Sequence, residues 1–152
     1  MAKAIYFDMD GTLVDLYSVD NWMEKLRNYD VSPYIEAKAL MNMQALAHRL
    51  NKLQANGCTI GIISWSSKVS TPEFDKAVAE AKMAWLKKHL ASVHFDEVII
   101  SPYGKKKHKL VAGRGGYIFE DNATIRKEWI RNRPEGWAFS QNAILEVLDI
   151  LK

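Results

Sequence analysis

The stretch AIYFDMDGTLVD, residues 4–15, begins as a β-branched and aromatic run and turns abruptly acidic. Residues 4–7 have the short, continuous apolar character of a buried strand. Asp8 and Asp10 stand where that strand should end, and Gly11-Thr12 follows as a turn. Residues two apart on an extended chain point to the same side, so both acids face one space. Carboxylates that close repel each other unless a positive object lies between them. The stretch therefore predicts a strand whose end carries a cation site.

Four further runs repeat the pattern of a buried strand: CTIGIIS at 58–64, EVIIS at 97–101, GYIFED at 116–121 and the shorter GWAF at 136–139. Helical spacing lies between them. Over 37–56, Leu40, Met43, Leu46, Ala47, Leu50 and Leu53 share a face, with Asn56-Gly57 as a stop. Thr71-Pro72 is a cap and first-turn signal, after which Phe74, Ala77, Val78, Ala81, Trp85 and His89 mark one face. NATIRKEWIRN and SQNAILEVLDILK read as two more helices, with Asn122 and Ser140 as candidate caps. Strands alternating with helices predict an α/β fold of the doubly wound, Rossmann-like kind. The expectation is a three-layer sandwich around a mostly parallel five-stranded sheet, with residues 1–152 forming a single domain. Residues 16–36 are too long for a turn, break at Ser32-Pro33 and predict a small helical cap insertion over the strand ends.

Composition sets the outer bounds. With 152 residues, 48% hydrophobic and 26% charged, the chain suits a soluble globular domain. The apolar stretch near the N-terminus is too short for a signal peptide, and no run approaches the roughly 20 apolar residues of a membrane helix. Cys58 is the one cysteine; it suits a reducing compartment and reads as core packing. The expected setting is cytoplasmic, with no membrane partner. A net charge of +3 is compatible with anionic substrates and does not mark a nucleic-acid protein.

In open parallel sheets the ligand crevice lies outside the carboxyl ends of the strands. The polar residues expected there are Asp8 and Asp10, Ser64, the pair Glu120-Asp121, and the basic run SPYGKKKHK after the third strand. Two carboxylates at one strand end and Asp121 from another make an all-oxygen cage of the kind that selects Mg²⁺. Such an ion offsets the repulsion between the acids and neutralises a phosphate dianion. An aspartate can attack phosphorus and split a hard hydrolysis into two easier steps. A second acid on the same side can protonate the leaving oxygen and later activate water. Ser64, a lysine and backbone N–H groups near Gly11 would hold the remaining phosphoryl oxygens.

FDMDGTLVD resembles the first motif of the haloacid dehalogenase superfamily of phosphatases, Asp-x-Asp-Gly-Thr after a hydrophobic strand. TIGIIS is similar to its second motif and YIFEDN to its fourth, in the right order along the chain. The resemblance implies Asp8 as nucleophile and metal ligand, and Asp10 as general acid/base and ligand through its backbone carbonyl. It also implies Ser64 as a phosphate-binding hydroxyl and Asp121 as the residue that completes a Mg²⁺ site. Aspartate at position 10 favours phosphoester hydrolysis within that superfamily. Glu120 departs from the usual paired aspartates, and its contact with metal is left open. The run from Trp85 to Lys109 resembles phage and bacterial members whose catalytic lysine falls three residues after a Tyr-Gly pair, which selects Lys107, with Lys105 second. The implied activity is a Mg²⁺-dependent phosphomonoester hydrolase acting on a small phosphorylated substrate, with a lean toward nucleotides. The alternatives are a phosphatase of nucleic-acid ends, suggested by the lysines, and a catalytically silent interaction module.

Other features have plainer readings. His48, His89, His94 and His108 lack metal-ligand spacing and read as structural or surface residues. GRGG at 113–116 precedes a strand, so a turn is expected instead of a phosphate loop. Trp65 reads equally as pocket wall or core. Tyr17, Trp22 and Met23 read as contacts for an apolar leaving group or as ordinary packing of the cap. Asp15 falls outside the expected site.

Overall fold

The computed structural model describes residues 3–151. In chain order its elements are β1 (Ala4–Phe7), β2 (Val14–Asp15), α1 (Trp22–Arg27), α2 (Ser32–Glu36), β3 (Lys38–Ala39), α3 (Met43–Ala55) and β4 (Thr59–Trp65). They continue with α4 (Pro72–His89), β5 (Glu97–Ser101), β6 (Gly115–Phe119), α5 (Ala123–Asn132), β7 (Glu135–Phe139) and α6 (Ile144–Ile150). Five strands form a parallel sheet in the order β5-β4-β1-β6-β7. Helices cover both faces, as the alternation predicts. β1 is the central strand, with β4 and β6 beside it, so the chain reverses its direction of growth across the sheet at Asp8.

Period-two alternation divides the strand residues between two cores. Ile5, Phe7, Ile60, Ile62 and Phe119 meet Leu46, Leu50 and Leu53 of α3 and Ile144 and Leu148 of α6 on one face. Ile63, Ile118 and Ala138 meet Trp129 of α5 on the other. Phe7 stacks on Phe119 at 5.0 Å, and Phe119 on Phe139 at 5.3 Å, which fixes the register of the strands that carry the acids. A third cluster, Leu16, Leu26 and Tyr34 against Phe74, Val78 and Ala81, seats the insertion on α4.

The segment expected to be helical from residue 37 is a correction. Lys38 and Ala39 are extended and pair antiparallel with Asp15 and Val14, Leu40 N–H donates to Leu13 C=O at 2.9 Å, and residues 40 and 41 form a bend. Asn42 then starts α3, its side chain accepting from Ala45 N–H at 2.9 Å. Leu40 is thus outside the helix and exposed. The same ribbon pairs the residues on either side of 16–36 and takes up Asp15. Smaller adjustments follow. Cys58 sits one residue ahead of β4, half-buried against the main core. Ser140 caps a 3₁₀ turn, Gln141–Ala143, that leads into α6, whereas Asn122 caps α5 directly. GRGG is a turn that enters β6, with Gly113 at φ +86°. No helix among the described residues is long and apolar enough to cross a membrane.

Candidate functional site

The floor of the site is built where β1 and β6 end. Asp8 keeps sheet geometry one residue past β1, its N–H donating to Phe119 C=O at 3.0 Å. The chain then turns sharply, with Met9 C=O accepting from the N–H groups of Thr12, Leu13 and Val14 at 3.1, 2.9 and 2.9 Å. Gly11 makes the turn at φ +82°, and a Cβ there would run into the Asp121 carboxylate and the Tyr17 ring. Thr12, fully buried, ties the two strand ends together: its hydroxyl donates to Asp8 Oδ2 at 3.0 Å and accepts from Asp121 N–H at 3.2 Å.

Lys107 reaches this floor from a 3₁₀ turn, Lys107–Lys109, in the loop between β5 and β6. Its Nζ lies 2.8 Å from Asp8 Oδ1 and 2.7 Å from Glu120 Oε1, and 5.3 Å from the centre of the Trp65 ring. Glu120 is in turn fixed by Asn122 N–H, which donates to Oε2 at 3.1 Å. Carboxylate oxygens of Asp8, Glu120 and Asp121 all lie within 4.8 Å of one another. Burial disfavours a charged Asp8, but the Lys107 ammonium outweighs it and holds the carboxyl below its ordinary value. Glu120 goes the other way: burial, then the charge of Asp8, push it up to about 9 despite Lys107. Asp121 is raised by burial and by Asp8. Three crowded acids with one lysine thus favour further positive charge, and an all-oxygen donor set suits a hard divalent cation. Such an ion would pull Glu120 and Asp121 back down.

Asp10 belongs to a second cluster. Its Oδ2 meets Lys82 Nζ at 2.8 Å, and the same ammonium donates to Ser64 Oγ and Trp65 C=O, each at 2.7 Å. The Tyr34 ring lies 4.9 Å from that nitrogen. Burial raises Asp10 above the ordinary carboxylate range, and the Lys82 charge offsets only part of the effect. The Asp10 carboxylate is therefore outside the Asp8, Glu120, Asp121 group.

Lys82 is the residue that sequence reading missed. It is 1% exposed in the middle of α4. Its signal was present: Val78, Lys82 and Leu86 fall at i, i+4 and i+8, so a charge interrupts an apolar stripe. A lysine on a buried face needs a partner, and here it has three.

Above the floor lies a cavity of about 370 Å³. Asp8, Asp10, Lys107, Glu120 and Asp121 line its base, and Leu16, Tyr17, Trp22, Met23 and Tyr34 of the insertion line its wall. Tyr17 and Trp22 meet edge to face at 5.0 Å. Trp65 also faces the cavity, its indole N–H donating to Lys105 C=O at 2.8 Å. The Ser64 hydroxyl is bonded to Lys82 and lies off the cavity wall, where the serines are Ser66 and Ser67. Of the other lysines in the basic run, Lys106 pairs with Glu128 at 2.9 Å on the outer surface, and Lys105 and Lys109 are exposed.

No protein-family model matches the chain, and neither does any curated protein. Solved structures do. D,D-heptose 1,7-bisphosphate phosphatase from B. bronchiseptica, complexed with magnesium and phosphate, superposes over 99% of this chain and 99% of its own, with TM-score 0.58 at 13% identity. The D,D-heptose 1,7-bisphosphate phosphatase from Burkholderia thailandensis matches over the same shares, with TM-score 0.56 at 14% identity. This chain has their fold. At such identity the likeness concerns the path of the backbone, and the chemistry has to be argued from the side chains above.

Proposed function

We propose that the protein is a Mg²⁺-dependent phosphomonoester hydrolase that works through an aspartyl-phosphate on Asp8. The observation that carries this is the separation of two neighbouring carboxylates into different electrostatic settings under one cavity: Asp8 held charged by Lys107, Asp10 pushed toward its protonated form. Acid and nucleophile are assigned by such divergence. The fold shared with phosphatases, one of them complexed with magnesium and phosphate, supports the reading.

Asp8 attacks phosphorus through a carboxylate oxygen while the bond from phosphorus to the leaving oxygen breaks. Asp10 gives its proton to that oxygen. Water then attacks the phosphorus of the acyl phosphate, Asp10 takes a proton from it, and Asp8 leaves as the free carboxylate with orthophosphate. Asp8, Asp121 and the backbone carbonyl of Asp10 would hold Mg²⁺, with Glu120 beside them. The bound ion would neutralise phosphoryl charge and let an anionic nucleophile approach an anionic substrate. Lys107, already on Asp8, is placed to stabilise the equatorial oxygens, with Ser66 and Ser67 on the cavity wall; the expected Ser64 hydroxyl is engaged by Lys82, and the Gly11 N–H donates to Val14 C=O at 2.8 Å. Lys82 orients the Asp10 carboxyl and limits how far its proton affinity rises.

Residues 16–36 act as the cap, and their aromatic wall favours a leaving group with a flat apolar part, as in a nucleotide. The nucleic-acid-end reading has less support, because Lys107 is in the site and Lys106 is paired with Glu128. Turnover of an aryl phosphate with and without Mg²⁺ tests the proposal. Wild type should require the metal, and Asp8→Asn should be inactive. Metal-independent turnover, or an active Asp8→Asn, would overturn it. A panel of mononucleotides, sugar phosphates and 5'- or 3'-phosphorylated oligonucleotides then separates the substrate classes.

A further inference from the structure

We propose that Arg133 is a positioning residue for Lys107, a clasp that holds the lysine-bearing loop against the floor of the site. The inference rests on the proposed role of Lys107. From residue 102 to 113 the loop between β5 and β6 makes only local backbone hydrogen bonds, yet it must deliver one ammonium to Asp8 and Glu120 at hydrogen-bonding distance. Its upstream part is held from outside, by Trp65 on Lys105 C=O and by Glu128 on Lys106. Its downstream part converges on one guanidinium. Arg133 Nη1 donates to His108 C=O at 2.9 Å and Val111 C=O at 3.1 Å, Nη2 to Ala112 C=O at 2.7 Å, and Nε to Gly115 C=O at 2.6 Å.

The placement follows from sequence and packing. Arg133 precedes Pro134, so α5 stops there and the side chain is released from the helix surface. The guanidinium carbon sits 4.8 Å from the centre of the Trp129 ring, and the residue is 3% exposed with no acidic partner among the described residues. A buried arginine without a carboxylate is costly. Here its charge is spread over four carbonyls, three of them in the loop and one at the start of β6. The first belongs to His108, the residue after Lys107. Only a planar fork with five donors can meet this set, and an ammonium with three cannot. Among the described residues no other side chain donates to these four carbonyls.

Arg133→Lys keeps the charge and an aliphatic stem but loses the fork and the guanidinium over Trp129. Its kcat should fall about ten- to hundredfold with KM within about threefold, because a reacting group is displaced while binding surfaces are kept. Lys107, protected from reductive methylation in the wild type by its burial, should become labelled in the variant, as read by peptide mass mapping. A double-mutant cycle separates positioning from general loosening. In a Lys107→Ala background, measured on an activated aryl phosphate, Arg133→Lys should cause no further loss. Gly113→Ala disturbs the same loop from a position at φ +86° without altering the arginine, and should repeat both the labelling and the non-additive loss even where Arg133→Lys does not fold. Losses that multiply with Lys107→Ala, or an Arg133→Lys enzyme with wild-type kcat and an unlabelled Lys107, would overturn the clasp and leave the hydrolase reading intact. Wild-type activity in Lys107→Ala alone would instead remove the assumed role of Lys107, and the inference with it.

Discussion

Asp8 and Asp10 are two residues apart, yet each has its own lysine from a different part of the chain. Asp8 meets Lys107 from the loop after β5, within a group of acids that invites a metal ion. Asp10 meets Lys82 from the middle of α4, away from that group. Asp8 is buried and Asp10 half-buried, and desolvation alone would raise both. The difference lies in how completely the lysine compensates: Asp8 ends below its ordinary value and Asp10 above it. Adjacent positions on one strand end are thereby given opposite chemical tasks. The comparison teaches that roles in this site are assigned by what approaches from other elements: Asp8 continues the strand, Asp10 lies in the turn after it, and a different lysine meets each.

Removing Asp8 should have the largest effect. Asp8→Asn is expected to lower kcat by on the order of 10³-fold or more, since no other carboxylate has an equivalent position. Lys107→Met should come next, at about 10²- to 10³-fold. Without that ammonium, burial outweighs the smaller lowering effects of Asp121 and Lys82 on Asp8, its pKa rises, and the acid limb of the pH–rate profile moves to higher pH. Lys82→Met should cost about 10- to 100-fold. Here the group released is Asp10, whose pKa rises further, so the alkaline limb moves to higher pH. A shift of the same limb in both variants would break the comparison. Trp22→Ala lies on the cavity wall and away from both acids. It should raise KM by a few-fold for aryl or nucleotide substrates, leave KM for a small alkyl phosphate unchanged, and shift neither limb.

The two halves of the site were not equally legible in the sequence. Strand ends carry their polar residues at fixed places after an apolar run, so Asp8, Asp10 and the Glu120-Asp121 pair, along with the five-stranded parallel sheet that carries them, are readable from period and punctuation. Lys82 is not a strand-end residue. It lies within a helix whose apolar spacing is regular on either side of it, and its three partners are 17 to 72 residues away in sequence. The mistaken helix start has a related cause. Residues 38 and 39 are held by pairing with residues 14 and 15, and no local period reports a two-residue ribbon. Ser64 shows the limit of counting along a strand: the expected residue is near the strand end, but its hydroxyl accepts from Lys82 of α4 and does not line the cavity.

The division of labour between the two aspartates is tested most directly by a burst experiment with an activated aryl phosphate, whose leaving group needs no proton. Mixed with Mg²⁺ and substrate, Asp10→Asn should release about one equivalent of phenolate per enzyme and then stall, because Asp8 can still be phosphorylated while water lacks its base. Asp8→Asn should release none. A burst from Asp8→Asn, or continued turnover by Asp10→Asn at the wild-type rate, would contradict the account.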